Sequence, residues 1–214
     1  MTAWEVARLD ELDTVPIGEG VLWHPVRRRF GIQSFGVNAY TSERVGEHVV
    51  EDHDESGSGA GGHEELYVVL RGLARFTVDG ETVHAPAGTF VFVRDPALRR
   101  SAIAEEEGTV VLAVGGEPGR PYEVSPWESY FAAIPALRAG RFEEAIGLMQ
   151  EGLREHPGNP SVLYNLAAAE SLAGRTLDAI THLREAVGVK PELRDRAWTD
   201  PDFDPIRRDP DFPA

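Results

Sequence analysis

The chain has 214 residues, 42% of them hydrophobic, with 36 Asp and Glu against 21 Lys and Arg and a net charge of −15 at neutral pH. Such a field repels nucleic-acid phosphates and anionic lipid, and no basic stripe offsets it, so nucleic-acid and membrane-surface binding are set aside. Without a single cysteine, disulfides, thiolate zinc centres and cysteine nucleophiles are excluded.

The lead-in, residues 1–10, is mixed and charged and has no apolar stretch ahead of a small-residue cleavage site. No later run approaches membrane-spanning length. A soluble cytoplasmic protein is the expectation. From Phe30 to Tyr40 the sequence alternates loosely and is rich in β-formers, which predicts short strands. An acidic turn follows at Glu51–Glu55, and then a flexible Gly/Ser-rich stretch, residues 56–62. Leu66–Leu70 reads as a short buried strand closed by Gly72. Ala74–Val78 alternates and meets Glu81–Ala85 across Asp79-Gly80, a tight-turn pair. Pro86-Ala87-Gly88 turns the chain into Thr89–Val93, and Thr109–Val114 ends at Gly115-Gly116. Six to eight strands with Gly or Pro turns between them predict an antiparallel barrel or sandwich.

Past a linker at 117–124, helical periodicity takes over and the sequence repeats with a period of 34 residues. Pro126 matches Pro160, Tyr130 matches Tyr164, and Ala139-Gly140-Arg141 matches Ala173-Gly174-Arg175. Ala145-Ile146 matches Ala179-Ile180, and Pro157 matches Pro191. That period fits a helix–turn–helix solenoid unit. Ser125 and Asn159 are expected N-caps, with Pro126 and Pro160 at the first helical position. Pro135 falls inside the first helix and is expected to kink or shorten it. The tail carries Phe203, Ile206 and Phe212 as anchors of a cap over the open end of a short array. The fold class is therefore α+β in two domains. A β-barrel spans residues 1–122, and a helical repeat with a C-terminal cap spans residues 123–214.

Two resemblances refine this. Glu65, six residues and Gly72 reproduce the second half of the first cupin motif, G-x5-H-x-H-x3,4-E-x6-G, and the Asp79-Gly80 and Pro86-Ala87-Gly88 turns are similar to those that follow it. Over roughly 30–116 the chain resembles a cupin, a jelly-roll-like double-stranded β-helix. Over roughly 125–191 it resembles tetratricopeptide repeats. The cupin resemblance implies that Glu65 faces the lumen and that two copies pair as a homodimer. It also implies a metal site, from which this chain departs. Ser58, Gly59, Ala60 and Gly61 stand where the His-x-His would lie. Counted from Gly88, the His of the second motif, G-x5-P-x-G-x2-H-x3-N, falls on Arg99 and its Asn on Ile103. A guanidinium stays protonated and ligates no cation.

Three functional readings stay open. In the first, the barrel holds a small molecule without a metal. Strand alternation puts His63, Glu65 and Tyr67 on one face, and Arg99 enters from the opposite sheet to pair with Glu65 or with a ligand carboxylate or phosphate. Any catalysis would be isomerase-like acid–base work by His63, Glu65 and Tyr67. In the second, one divalent transition metal sits at a displaced site of His53, His63 and Glu65, with His84 as an optional fourth ligand, and supports an oxygenase or isomerase. In the third, the chain is a protein-interaction scaffold whose helical groove presents Tyr130, Tyr164 and Asn165 to a protein partner.

Overall fold

The computed structural model describes residues 5–56 and 61–213. Residues 57–60 of the Gly/Ser-rich stretch lie outside them. The chain divides into two compact units, Met1–Ser125 and Pro126–Ala214.

In the first unit, β1 (Val15–Pro16) and β2 (Val21–His24) precede a short helix, α1 (Val26–Phe30). The remaining strands are β3 (Gly36–Ser42), β4 (His48–His53), β5 (Glu64–Arg71), β6 (Leu73–Val78), β7 (Glu81–Pro86), β8 (Phe90–Val93), β9 (Arg100–Ala104) and β10 (Thr109–Gly116). Every pairing is antiparallel. One sheet runs β1-β2-β3-β10-β5-β8 and the other β4-β9-β6-β7. Their inner faces meet in a core of Val49, Val50, Tyr67, Val69, Ala74, Phe76, Ala85, Val93, Ala102 and Val111.

The two sheets are separate ladders, so they form a sandwich and do not close into the expected barrel. The end strands explain this. β1 is two residues long and carries Pro16, which has no N–H to donate. β4 breaks register twice against β9, and bulges of that kind end pairing at a sheet edge. Two further expectations need correction. The start of the Phe30–Tyr40 stretch belongs to α1, which Gly31 ends in the left-handed conformation (φ 63°). A strand also forms at Arg100–Ala104, where small alanines gave no strand signal.

In the second unit α2 (Trp127–Arg138), α3 (Phe142–Glu155), α4 (Pro160–Leu172) and α5 (Thr176–Val189) form two helical hairpins, followed by α6 (Leu193–Thr199). Gly140 (φ 69°) and Gly174 (φ 76°) make the equivalent left-handed turns. Asn159 caps α4 by accepting from the Ser161 and Val162 amides. Ser125 does not cap α2, whose N-cap is Pro126. Helix α2 runs on through Pro135 to Arg138. A proline in the last turn gives up one hydrogen bond without a following helix to redirect. Phe203, Ile206 and Phe212 are buried with Leu163, Tyr164, Leu183 and Ala197 in one core, so the tail does cap the array. Among the described residues no helix is long and apolar enough to cross a membrane.

Candidate functional site

The alternation of β5 turns His63, Glu65, Tyr67 and Val69 inward. Tyr67 and Val69 are 1% exposed and His63 is 8%. The Tyr67 ring packs against Phe76 of the facing sheet, with centroids 5.6 Å apart. Its hydroxyl donates to Glu65 Oε2. Gly115 on β10 lies opposite Glu65 and leaves room for it, since a Cβ there would come within 3.1 Å of Glu65 Cγ.

The cation at this carboxylate is Arg100, one residue beyond the expected Arg99. Arg100 Nε and Nη2 donate to Glu65 Oε2 at 3.0 and 2.6 Å, and Nη1 donates to the Pro96 and Leu98 carbonyls, both at 3.0 Å. Its side chain is wholly enclosed (0% exposed). Arg99 points outward and pairs with Asp52 at 2.9 Å on the surface. The reason is strand parity. Ala102 and Ala104 face the core and Arg100 lies in phase with them, opposite Val78.

Two imidazoles and a second carboxylate complete the cluster, and His53 is the most exposed of them. His53 Nε2 lies 3.4 Å from Glu65 Oε2 and 3.7 Å from Glu55 Oε1, and His63 Nδ1 lies 3.7 Å from Glu55 Oε2. The Gly61 amide donates to Glu55 Oε2 at 2.8 Å. The His63 ring lies 5.7 Å from that of Tyr122. His53 Nδ1 is 2.7 Å from the Glu51 carbonyl, which can only accept, so this nitrogen carries a proton. Nε2 then faces two carboxylates and is best satisfied as the donor of an imidazolium.

The electrostatics follow from these contacts. Burial alone would raise the Glu65 carboxyl, but hydrogen bonds from His53, Tyr67 and Arg100, with the charge of Arg100, hold it down at about 2. Burial and the neighbouring carboxylate push the Tyr67 hydroxyl far up. Burial disfavours the charged form of His53, yet its bonds to Glu65 and the Glu51 carbonyl raise it above the ordinary imidazole value.

A metal fits this set poorly. His53, Glu55 and Glu65 do place one donor atom each within 4.8 Å of one another. The Glu65 contacts, however, converge on one oxygen already held by a guanidinium, a tyrosyl hydroxyl and an imidazole. A second cation would sit against Arg100. In the proposed trio of His53, His63 and Glu65, His63 approaches Glu55 and not Glu65. His84 pairs with Glu105 on the outer surface.

In the helical unit the three expected groove residues do not share an open face. Tyr164 is 2% exposed, donates to Asp200 Oδ2 at 2.8 Å and lies under the Arg196 guanidinium at 4.7 Å. The tail that caps the array covers it. Tyr130 packs on the core of α2, α3 and α4, and Asn165 is half-buried. A cleft of about 260 Å³ lies elsewhere, lined by Gln150, Leu153, Arg154, Leu166 and His182. Beside it His182 Nδ1 meets the buried carboxylate of Glu170 at 2.7 Å, a pair that sequence reading missed.

Residues 136–199 match the family model of the tetratricopeptide repeat. Solved structures similar to the chain over its N-terminal half include cupins. An RmlC-like cupin from Shewanella frigidimarina is 15% identical and aligns over 55% of this chain and 95% of its own, with a TM-score of 0.41. KdgF from Halomonas sp. is 16% identical over 52% of this chain and 90% of its own, with a TM-score of 0.41. A sugar phosphate isomerase of the cupin superfamily from Silicibacter pomeroyi is 14% identical over 52% and 75%, with a TM-score of 0.44. A search of curated protein sequences found no match to this chain.

Proposed function

We propose that the N-terminal unit is a binding module for a small ligand rich in hydroxyl or ammonium donors, working without a metal, and that the helical unit joins it to a protein partner. The observation that carries this is Arg100. It is enclosed and spends its donors on Glu65 Oε2 and two carbonyls. The interior thus supplies its own cation, and none of that charge is offered to a ligand carboxylate or phosphate. What stands beside that pair is Glu55, His53, which is the most exposed of the cluster, and the nearly buried His63 with its ring against Tyr122. Carboxylates bind ligand donors, and a ring pair offers an apolar wall to the carbon face of a small cyclic molecule.

The same geometry argues against acid–base catalysis by His63, Glu65 and Tyr67. A carboxyl held at about 2 and a phenol pushed far up do not exchange protons near neutrality. The reading is tested by calorimetric titration of the intact protein with neutral sugars, amines and sugar phosphates. Saturable binding of a neutral polyol or an amine, lost in Glu55→Ala, is the expected result. Binding only of phosphorylated or carboxylated compounds, or only after a transition metal is added, overturns it.

A further inference from the structure

The second helical hairpin departs from the first at one place in its core. With the 34-residue period, Glu170 of α4 corresponds to Ala136 of α2, and His182 of α5 corresponds to Leu148 of α3. In the first hairpin that place is apolar. Ala136 is 1% exposed, and Leu148 packs against the cluster that contains it. In the second it holds an ionisable pair. His182 Nδ1 lies 2.7 Å from Glu170 Oε2, and the Glu170 side chain is 1% exposed. The two hairpins make equivalent turns at Gly140 and Gly174, so the same hairpin forms with alanine and leucine at these positions. Replacing a buried ion pair by apolar residues is often neutral or stabilising. Stability alone therefore does not account for the pair.

What the pair does is fix an imidazole at the wall of a cleft. The cleft has a volume of about 260 Å³ and is lined by Gln150, Leu153 and Arg154 of α3, Leu166 of α4 and His182 of α5. A carboxylate only accepts, so Nδ1 of His182 carries a proton toward Glu170. Nε2 has no partner among the described residues and is accessible. The hydrogen bond to Glu170 raises the imidazole against the opposing effect of burial, and the charges of Glu170, Glu185 and Asp178 add to the rise. An imidazolium donates from Nε2 as well. Arg154 is exposed on α3 and makes no hydrogen bond or ion pair among the described residues. The cleft thus gathers two cationic donors and the Gln150 amide around the side chains of Leu153 and Leu166.

We propose that this cleft is a binding site for a carboxylate on a short apolar stem, held by Arg154 and by Nε2 of His182. The site lies within the helical unit and stands apart from the ligand reading of the N-terminal unit. Charge selects the class. Glu170 balances His182, so among the lining residues Arg154 supplies the one uncompensated positive charge. That suits a monoanion and falls short of a doubly charged phosphate. A guanidinium meets a carboxylate through two parallel N–H bonds, and Leu153 and Leu166 take the stem. The volume lies below the ~300–1,000 Å³ of pockets for drug-sized molecules, so the stem is a few carbons long. Glu185 and Asp178 of α5 act on His182 and also oppose an incoming anion, which keeps the affinity modest. Because His182 must be charged to donate from Nε2, binding weakens as pH rises through its titration. By linkage, a bound carboxylate moves that titration to higher pH. The same group can arrive as a free acid or as the glutamyl side chain of a protein partner.

Imidazole NMR of the labelled full chain tests this, with the His182 resonance identified by its loss in His182→Leu. Butyrate should shift that resonance saturably and raise its titration midpoint. Butylamine should leave it in place, and inorganic phosphate should bind more weakly than butyrate. Arg154→Gln changes an exposed residue and should weaken butyrate binding roughly tenfold or more, the range of a lost hydrogen bond to a charged group. Glu170→Ala/His182→Leu gives the second hairpin the residues of the first. It should keep its helical circular dichroism, and butyrate should no longer shift its Leu153 and Leu166 methyl resonances. A His182 resonance that butyrate leaves unmoved, an equal response to butylamine, or tighter binding of phosphate overturns the proposal. So does an Arg154→Gln or a double variant that binds butyrate like wild type. N-acetylglutamate methylamide in place of butyrate separates the two sources. Tighter binding of the blocked glutamate assigns the site to a partner's side chain and tighter binding of butyrate assigns it to a free acid, and either result upholds the site.

Discussion

Replacing Arg100 by Met keeps the length and apolar character of the side chain but removes the charge that Glu65 is built around. Holding Glu65 at about 2 against an ordinary 4.5 is worth about 3 kcal/mol of stability at neutral pH, at ~1.4 kcal/mol per pKa unit. Breaking a buried ion pair by removing one partner costs about 3–5 kcal/mol, because the other charge stays desolvated. The two figures agree, and Arg100→Met is expected to lose about 3–4 kcal/mol from the N-terminal unit at pH 7. The pH dependence is specific. A depressed carboxyl contributes stability that is fully present above its unfolded value and is lost as pH falls through its folded one. In wild type that loss runs from about 4.5 down to about 2. In the variant Glu65 protonates at higher pH, so its deficit narrows on acidification. About 1 kcal/mol remains, for the Pro96 and Leu98 carbonyls left without a donor. Urea unfolding between pH 4 and 8 measures this, with Arg100→Met/Glu65→Gln as the companion that recovers most of the loss. A deficit below about 1 kcal/mol, or one that does not change with pH, refutes the reasoning.

Other outcomes follow from the same contacts. A Cβ on Gly61 would lie 2.1 Å from His63 Nε2, so Gly61→Ala should displace that ring and weaken ligand binding while leaving the melting temperature of the helical unit unchanged, as read by calorimetry. The hydrogen bond to Glu170 raises His182 above its ordinary value against a smaller opposing effect of burial. A raised imidazole gives its full stabilisation below its unfolded value and loses it as pH rises through the folded one, so the helical unit should weaken on going from pH 6 to pH 9. His182→Ala should abolish that slope and cost about 2–3 kcal/mol by leaving Glu170 buried without a cation. Tyr164→Phe removes the bond to Asp200 and should cost the helical unit about 1 kcal/mol in chemical denaturation.

Much of the fold was legible because its signals are local. The matched Ala-Gly-Arg triplets mark the two left-handed turns at Gly140 and Gly174, and Phe203, Ile206 and Phe212 were recognisable as anchors because nothing else in the charged tail can be buried. Glu65 was found through its spacing to Gly72, and the alternation around it placed His63 and Tyr67 on its face. The cationic partner was missed by one residue, since counting from Gly88 takes no account of the phase in which β9 starts. Ala102 and Ala104 held that information, since they are buried and Arg100 lies two and four residues before them, in the same phase of the strand. Glu55 and Glu170 were passed over because an acidic chain offers many carboxylates and sequence does not say which are buried. Tyr164 was read as a groove residue, and what hides it is Asp200, far along the chain. Sheet closure was also beyond reach of the sequence, because it depends on register breaks such as those of β4.

The most direct measurement is the carboxyl carbon resonance of Glu65 in 13C-labelled protein, titrated from pH 7 down to pH 4. With Arg100, Tyr67 and His53 all holding the ionised form, the resonance should stay at its carboxylate position throughout that range in protein stripped of metal by a chelator. A midpoint between pH 4 and 5 in the folded protein, or a resonance that moves when a divalent metal is returned, would contradict the account.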